Sequence, residues 1–330
     1  MSELRWHPLL REWVITSTER QDRTFLPPKD YCPLCPQRPG GVPTEIPTDY
    51  RAVAFENRFP SLRPNPPEPA VEGSELYPVE PAKGVCEVIV YTPRHEGTLA
   101  DATVDEIEEL VYLWRDRYVE LSGLDFIDYV YIFENKGEAI GVTLHHPHGQ
   151  LYAFPFIPPR VERELESVRE HREKTGRCLL CDVVREERSD GRRRVLEGEH
   201  FYAGLPFYAR WPYEVHIWAK EHRASLAELS GAEIRDLARV LKGVLCKYDG
   251  LWNQSMPYLM ILKQLPTDGR GSEADHFRIE FYPPMRTSTK LKFLASVESG
   301  AGTFINDTLA EEKAAELRAA EPTELPGTGI

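Results

Sequence analysis

The residues best suited to chemistry lie in one short stretch, Asn135-Lys-Gly-Glu-Ala-Ile-Gly141-Val-Thr143-Leu-His145-His146-Pro147-His148-Gly149-Gln150. Gly137 and Gly141 suit a loop whose backbone N–H groups approach an anion closely, and Asn135 and Thr143 add side-chain donors. His146 and His148 stand two residues apart, so an extended backbone would point both the same way, with Pro147 stiffening the peptide between them. A neutral imidazole is nucleophilic near pH 7 and leaves phosphorus readily, which suits His148 to covalent transfer of a phosphoryl or nucleotidyl group. Gln150 would set an amide donor on the same face, where charge gathers on phosphoryl oxygens. His145 reads as a polar neighbour. The blander reading is a histidine cluster that binds metal and turns nothing over.

Four of the six cysteines form two Cys-x-x-Cys pairs, Cys32/Cys35 and Cys178/Cys181. Two thiolates at this spacing reach one Zn²⁺ from a tight turn and need two more ligands to close a tetrahedron. His95 and His146 are the candidates for the first pair, and His222 and His276 for the second. Neither set leaves an open position, so a structural role is expected; a redox pair or two packed thiols is the alternative. Cys86 and Cys246 stand beside apolar residues and read as buried packing residues.

These ligands recur because the chain repeats. Glu87 opens EVIVYTPRHEGTLADATVDEI and Glu214 opens EVHIWAKEHRASLAELSGAEI, which align without a gap and set His95 on His222. Each run begins as an apolar strand, breaks at a polar turn and enters an amphipathic helix, expected over 104–122 and 231–248. Strands follow at 129–134 and 258–263. His146-Pro-His148-Gly-Gln150 then matches His276-Phe-Arg278-Ile-Glu280, so the second half has lost the nucleophile. The expected fold is α+β: a duplicated unit, antiparallel sheet flanked by helices, with halves at 1–159 and 160–330. Residues 160–174 read as a charged linking helix, and 60–82, with seven prolines, as an extended excursion. Residues 182–194, with Arg192-Arg193-Arg194, read as a solvated turn between strands.

A net charge of −13 argues against a general nucleic-acid or anionic-membrane surface, though local Arg and Lys can still hold a phosphate. No run of 18 apolar residues exists, and the N-terminus lacks an apolar signal core, so no membrane span and a cytoplasmic location are expected.

The His-Pro-His-Gly-Gln pattern resembles the active-site motif of galactose-1-phosphate uridylyltransferases, the transferase branch of the histidine-triad superfamily. The resemblance extends through Pro8-Leu9 to Trp13-Val14, Arg20 and Arg23, Cys32/Cys35, Phe55-Glu-Asn57, Phe133-Glu-Asn135-Lys-Gly137, Phe281-Tyr-Pro-Pro and Lys292-Phe293. It implies histidine-triad-like halves and a two-step exchange. His148 attacks UDP-glucose to give uridylyl-His148, and galactose 1-phosphate then takes the uridylyl group to give UDP-galactose. It implies that the His146 carbonyl orients the nucleophile. Arg20, Arg23, Asn57, Asn135, Gly141 and Thr143 would hold nucleotide and phosphates. Lys292 and Glu298 would contact the sugar across a homodimer. Gln150, where hydrolase relatives carry a third histidine, favours transfer. Members that bind a second metal do so through a Glu, matched by Glu164, and histidines where this chain has Arg278-Ile-Glu280, so that site is gone. Val297 replaces a tyrosine of familiar members. An ADP-glucose phosphorylase-like adenylyltransferase shares this layout, and a zinc-stabilised nucleotide-binding module without turnover is the reading from another class.

Overall fold

The computed structural model describes residues 2–18, 31–38, 40, 44–46, 48–270 and 275–321. The chain opens with β1 (Ser2–His7) and β2 (Glu12–Ser17), followed by β3 (Val53–Glu56). The proline-rich excursion then runs with little regular structure to β4 (Val79–Pro81). It is anchored by Leu62, fully buried in a cluster with Leu4, Ala82 and Cys86. β1 pairs with β2 on one side and β4 on the other, a small antiparallel sheet that no feature of the sequence had suggested.

The first repeat supplies β5 (Val85–Val90), α1 (Val104–Ser122), β6 (Tyr129–Lys136) and β7 (His148–Phe154). α2 (Pro159–Thr175) links to α3 (Leu179–Asp190), β8 (Arg194–Glu197) and β9 (Phe201–Gly204). The second repeat supplies β10 (Val215–Ala219), α4 (Gly231–Gly250), β11 (Tyr258–Lys263) and β12 (Arg278–Tyr282), and α5 (Ser296–Ala301) and α6 (Ala310–Ala319) follow. Both repeat helices begin at a capping box, Thr103 with Glu106 and Ser230 with Glu233, at the offset that aligns Glu87 with Glu214. Each such cap is worth about 1 kcal/mol and fixes where the helix starts.

Among the described residues nine strands form one antiparallel sheet in the order β3-β5-β7-β6-β11-β12-β10-β9-β8. From the middle outwards the order is β6, β7, β5 on one side and β11, β12, β10 on the other, so the duplication is written into the sheet. β6 pairs with β11 and joins the halves without a break. Trp114 and Tyr118 of α1 and Leu241 and Tyr248 of α4 pack with Ile89, Ile132, Leu151, Ile217 and Ile279 in one shared core. Burying each such side chain contributes about 1.5–3 kcal/mol. On the opposite face α2 packs Val161, Leu165 and Val168 against Tyr129.

Two expectations need correction. Residues 182–190 belong to α3 and are not a turn: Leu180, Val184 and Glu187 recur at helical spacing on its buried side. In the basic triplet, Arg192 and Arg194 are exposed, but Arg193 is buried and pairs with Glu187 at 2.8 Å and Glu311 at 2.7 Å. Arg193→Met leaves the Glu187 carboxylate buried without its cation and is expected to cost about 3–5 kcal/mol. The urea midpoint should fall with an unchanged slope. Cys86 is buried as expected, whereas Cys246 is only half-buried.

Candidate active site and metal centres

Strand alternation builds the site. In the β6–β7 pair Phe133 lies opposite Gln150. The alternate residues Ile132, Leu151 and Ala153 enter the helix-covered core. Their neighbours Phe133, Asn135, His148, Gln150 and Tyr152 line a cavity of about 270 Å³ on the other face, closed by Ile140 to Thr143. The loop can fold over it because Gly137 (φ 103°) and Gly141 (φ 83°) occupy the left-handed region. A Cβ on Gly137 would also stand 2.7 Å from the Pro257 ring.

The two motif histidines do different work. His148 donates from Nδ1 to the His146 carbonyl oxygen at 2.7 Å. Because a carbonyl only accepts, the proton sits on Nδ1 and the lone pair on Nε2. That is the tautomer a nucleophilic imidazole requires. His146 is buried away from the cavity, and its Nε2–H donates to the Thr92 carbonyl at 2.7 Å. Burial lowers its pKa and keeps the ring neutral.

Beneath the nucleophile lies Tyr91, a residue no sequence pattern had marked. Its amide donates to the Pro147 carbonyl at 3.1 Å. Its hydroxyl reaches Glu134, whose carboxyl burial pushes up to about 7. A Cβ on Gly149 would stand 2.1 Å from that hydroxyl and 3.0 Å from the Phe133 carbonyl. Gly149→Ala must therefore displace the strand carrying His148, and a shift near 1 Å costs roughly 100-fold in turnover. Adding Tyr91→Phe removes the nearer obstacle and should recover part of the loss in steady-state assays.

The sulfur and nitrogen ligands gather as their spacing implied. Cys32, Cys35, His95 and His146 offer four ligand atoms within 4.8 Å of one another, and so do Cys178, Cys181, His222 and His276. In the first set Cys35 Sγ lies 3.4 Å from His95 Nδ1 and 3.7 Å from His146 Nδ1. In the second Cys181 Sγ lies 3.6 Å from His222 Nδ1 and 3.5 Å from His276 Nδ1. A tetrahedral Zn²⁺ with ordinary bond lengths sets sulfur and nitrogen about 3.5 Å apart. In both sets the inner histidine donates from Nε2 to a carbonyl, Thr92 for His146 and Ala219 for His276, which turns the Nδ1 lone pair toward the thiols. Thr92 and Ala219 are themselves repeat partners. Burial raises the Cys32 thiol to about 11, so a cation is what would hold it as thiolate. Both clusters fit a divalent metal of zinc's preferences.

The chain is 45% identical over 322 residues to a galactose-1-phosphate uridylyltransferase of Thermotoga maritima, which spans 97% of this chain and 99% of that one. It belongs to the galactose-1-phosphate uridylyltransferase family. The family's N-terminal domain model (galactose-1-phosphate uridyl transferase) matches residues 1–158 and its C-terminal domain model residues 164–326. The Rattus norvegicus galactose-1-phosphate uridylyltransferase is 34% identical, covering 96% of this chain and 86% of that one. Among solved structures, a uridylyltransferase superposes with a TM-score of 0.87 at 37% identity, covering 96% of this chain and 98% of that one. An ADP-glucose phosphorylase from Arabidopsis thaliana superposes at 0.73 and 25%, covering 97% of this chain and all of that one. The protein is a nucleotidyltransferase.

Not every residue that the uridylyltransferase resemblance singled out reaches the His148 cavity. Arg20 and Arg23 lie outside the described residues. Asn57 follows β3, accepts the Phe59 amide through Oδ1 at 2.9 Å and is not among the described residues that line the cavity. Lys292 and Glu298 form a buried pair at 3.1 Å in the C-terminal segment, and Lys292 also donates to the Ile305 carbonyl. His145 is exposed near Glu138. At Glu164, which the resemblance compared with a second-metal ligand, the carboxylate accepts from Lys263 at 3.1 Å and from Arg278 at 2.7 Å. Arg278 also pairs with Glu280 at 2.7 Å, so two cations and two carboxylates close on one another there. Even spacing along β7 would have found Tyr152; the carbonyls of Thr92 and Ala219 leave no signal in side-chain types. Among the described residues no helix is long and apolar enough to cross a membrane.

Proposed function

We propose that the enzyme moves a uridylyl group between UDP-glucose and galactose 1-phosphate through uridylyl-His148. Nε2 of His148 attacks the α-phosphorus, the bond to the bridging oxygen breaks, and glucose 1-phosphate leaves with the electron pair. Galactose 1-phosphate then attacks the same phosphorus, the P–N bond breaks, and the pair returns to Nε2. The positive charge on the uridylylated ring is stabilised by the Nδ1–H donated to the His146 carbonyl, the single observation that carries this reading. Gln150 donates to the phosphoryl oxygens, and Asn135, Thr143 and the amides around Gly141 hold the nucleotide phosphates.

One zinc ion in each half would be structural, the first pinning the peptide whose carbonyl orients His148. The halves are assigned to 1–159 and 160–330, the second contributing its zinc site and contacts for the sugar. Lys292 and Glu298 lie beside exposed Phe293, Leu294 and Val297, an apolar surface suited to a second copy of the chain, across which the pair would meet the hexose. Arg20, Arg23 and Asn57 would complete the nucleotide site beside His148. A soluble cytoplasmic homodimer without nucleic-acid or membrane partners fits the acidic chain.

An adenylyl group is the competing cargo, since an ADP-glucose phosphorylase shares the fold. The higher identity to the uridylyltransferases favours uracil. Isotope exchange tests both points. Labelled glucose 1-phosphate should enter UDP-glucose without galactose 1-phosphate present, at a rate comparable with turnover. Exchange into ADP-glucose instead would reassign the base, and none into either would rule out a stable intermediate.

A further inference from the structure

The helix-covered face of β6 carries Val130 and Ile132 and then, against the pattern, Glu134, which is 4% exposed. The cation that acts on it, Lys136, is held by Asp249 of α4 at 3.2 Å. Tyr258 of β11 donates to Glu134 Oε1 at 3.3 Å, while Oε2 has no close partner among the described residues. A buried carboxyl so thinly paired lowers stability, so packing does not account for it.

Its place in the sheet does. The register that pairs Phe133 with Gln150 sets Glu134 one step further on, across from Gly149. Gly149 has no side chain, and the Tyr91 hydroxyl fills the space that a Cβ would take. Tyr91 arrives from the end of β5, with its ring edge-on to Trp114 at 6.3 Å and its amide on the Pro147 carbonyl. Its hydroxyl is held by the Glu134 carboxyl. Gly149 lies between His148 and Gln150, the two residues of β7 that face the cavity beside the reacting phosphorus. A hydroxyl pressed against its backbone from beneath fixes the tilt of that segment, and with it the aim of the imidazole and the amide.

We infer that Glu134 is a positioning residue: by holding the Tyr91 hydroxyl against Gly149, it keeps His148 and Gln150 aimed at the phosphorus. The inference rests on His148 being the nucleophile. Burial pushes the Glu134 carboxyl up to about 7 against the pull of Lys136, so its neutral form, which glutamine imitates, is well populated near pH 7.

Single-turnover formation of the uridylyl adduct at saturating UDP-glucose tests it, alongside steady-state kinetics and urea unfolding. The proteins are the wild type, Glu134→Leu, Glu134→Gln, Tyr91→Phe and the double variant Glu134→Leu/Tyr91→Phe. Glu134→Leu should slow adduct formation and lower kcat by roughly 10–100-fold, the cost of a misplacement near 1 Å, with KM for UDP-glucose changed by about twofold at most. Glu134→Gln should restore most of that rate, because its amide oxygen still accepts the tyrosine proton. Tyr91→Phe should cost about as much as Glu134→Leu, and the double variant no more than either, since the two side chains act as one unit. Should Glu134→Leu not fold, Tyr91→Phe carries the test alone: a slowed adduct supports the inference and an unchanged rate overturns it. Adduct formation at the wild-type rate in Glu134→Leu, or losses that add in the double variant, would overturn this inference and leave the nucleophile standing. No adduct in the wild type would overturn the reading of His148 and this inference with it.

Discussion

His148→Ala is expected to lower uridylyl transfer by a factor on the order of 10⁴–10⁶, the range for losing a covalent nucleophile whose role no neighbour can take. The other cavity residues support that size of effect. Phe133, Ile140 and Val142 are apolar, Asn135 and Gln150 are amides, and Thr143 and Tyr152 carry hydroxyls with no adjacent general base lining the cavity. Apart from His148, none of the described residues lining the cavity can form a phosphoramidate. Substrate binding should survive far better than turnover, because the loop proposed to hold the phosphates, with its glycines, is untouched. The informative result is therefore a collapse of kcat with KM for UDP-glucose changed by a few-fold at most. A small fall in kcat would place the nucleophile elsewhere.

The second large effect concerns metal. Removing Zn²⁺ with a strong chelator, or replacing Cys35 with serine, should lower kcat by roughly 10–100-fold, while Cys181→Ser should lower stability and leave kcat within about threefold. The first cluster includes His146, whose own carbonyl fixes the His148 tautomer 2.7 Å away. Loosening that peptide loosens the nucleophile. The second cluster holds His276, whose chain leads to Arg278 and no reacting atom. Metal analysis should find two zinc ions per wild-type chain and one in each variant. Equal losses of kcat from the two substitutions would contradict this division of roles.

Much of the architecture was legible because duplication doubles each weak signal. A helix starting near Val104 is one pattern; the same helix recurring at Gly231 behind Ser230, as Val104 follows Thr103, fixes both ends of the alignment. The histidine and cysteine positions gained in the same way, since His95 on His222 predicted two similar tetrads before either was seen together. What stayed hidden has physical reasons. The join of β6 to β11 is made by backbone groups, to which side-chain types are blind. The short β1–β2–β4 sheet is held by Leu4 and Leu62, whose partners lie far apart in the chain. α3 was missed because its charged residues outnumber its apolar ones and its buried stripe includes Glu187, which is inside only because Arg193 is there with it. Tyr91 became important through its amide bond to the Pro147 carbonyl and its hydroxyl beside Gly149, neither of which a residue type announces. Asn57, Lys292 and Glu298 show the other limit: a resemblance named them, and they are not among the described residues that line the His148 cavity.

The central claim is a covalent bond at one atom, so the most direct measurement is mass. Intact-mass spectrometry after mixing the enzyme with UDP-glucose, followed by peptide mapping under mildly alkaline conditions that spare a phosphoramidate, reads it without assumptions about rates. The account predicts a single uridylyl adduct per chain, located on the peptide containing His148, absent in His148→Ala and discharged by galactose 1-phosphate. An unmodified protein that nonetheless catalyses exchange, or an adduct on any other residue, would contradict it.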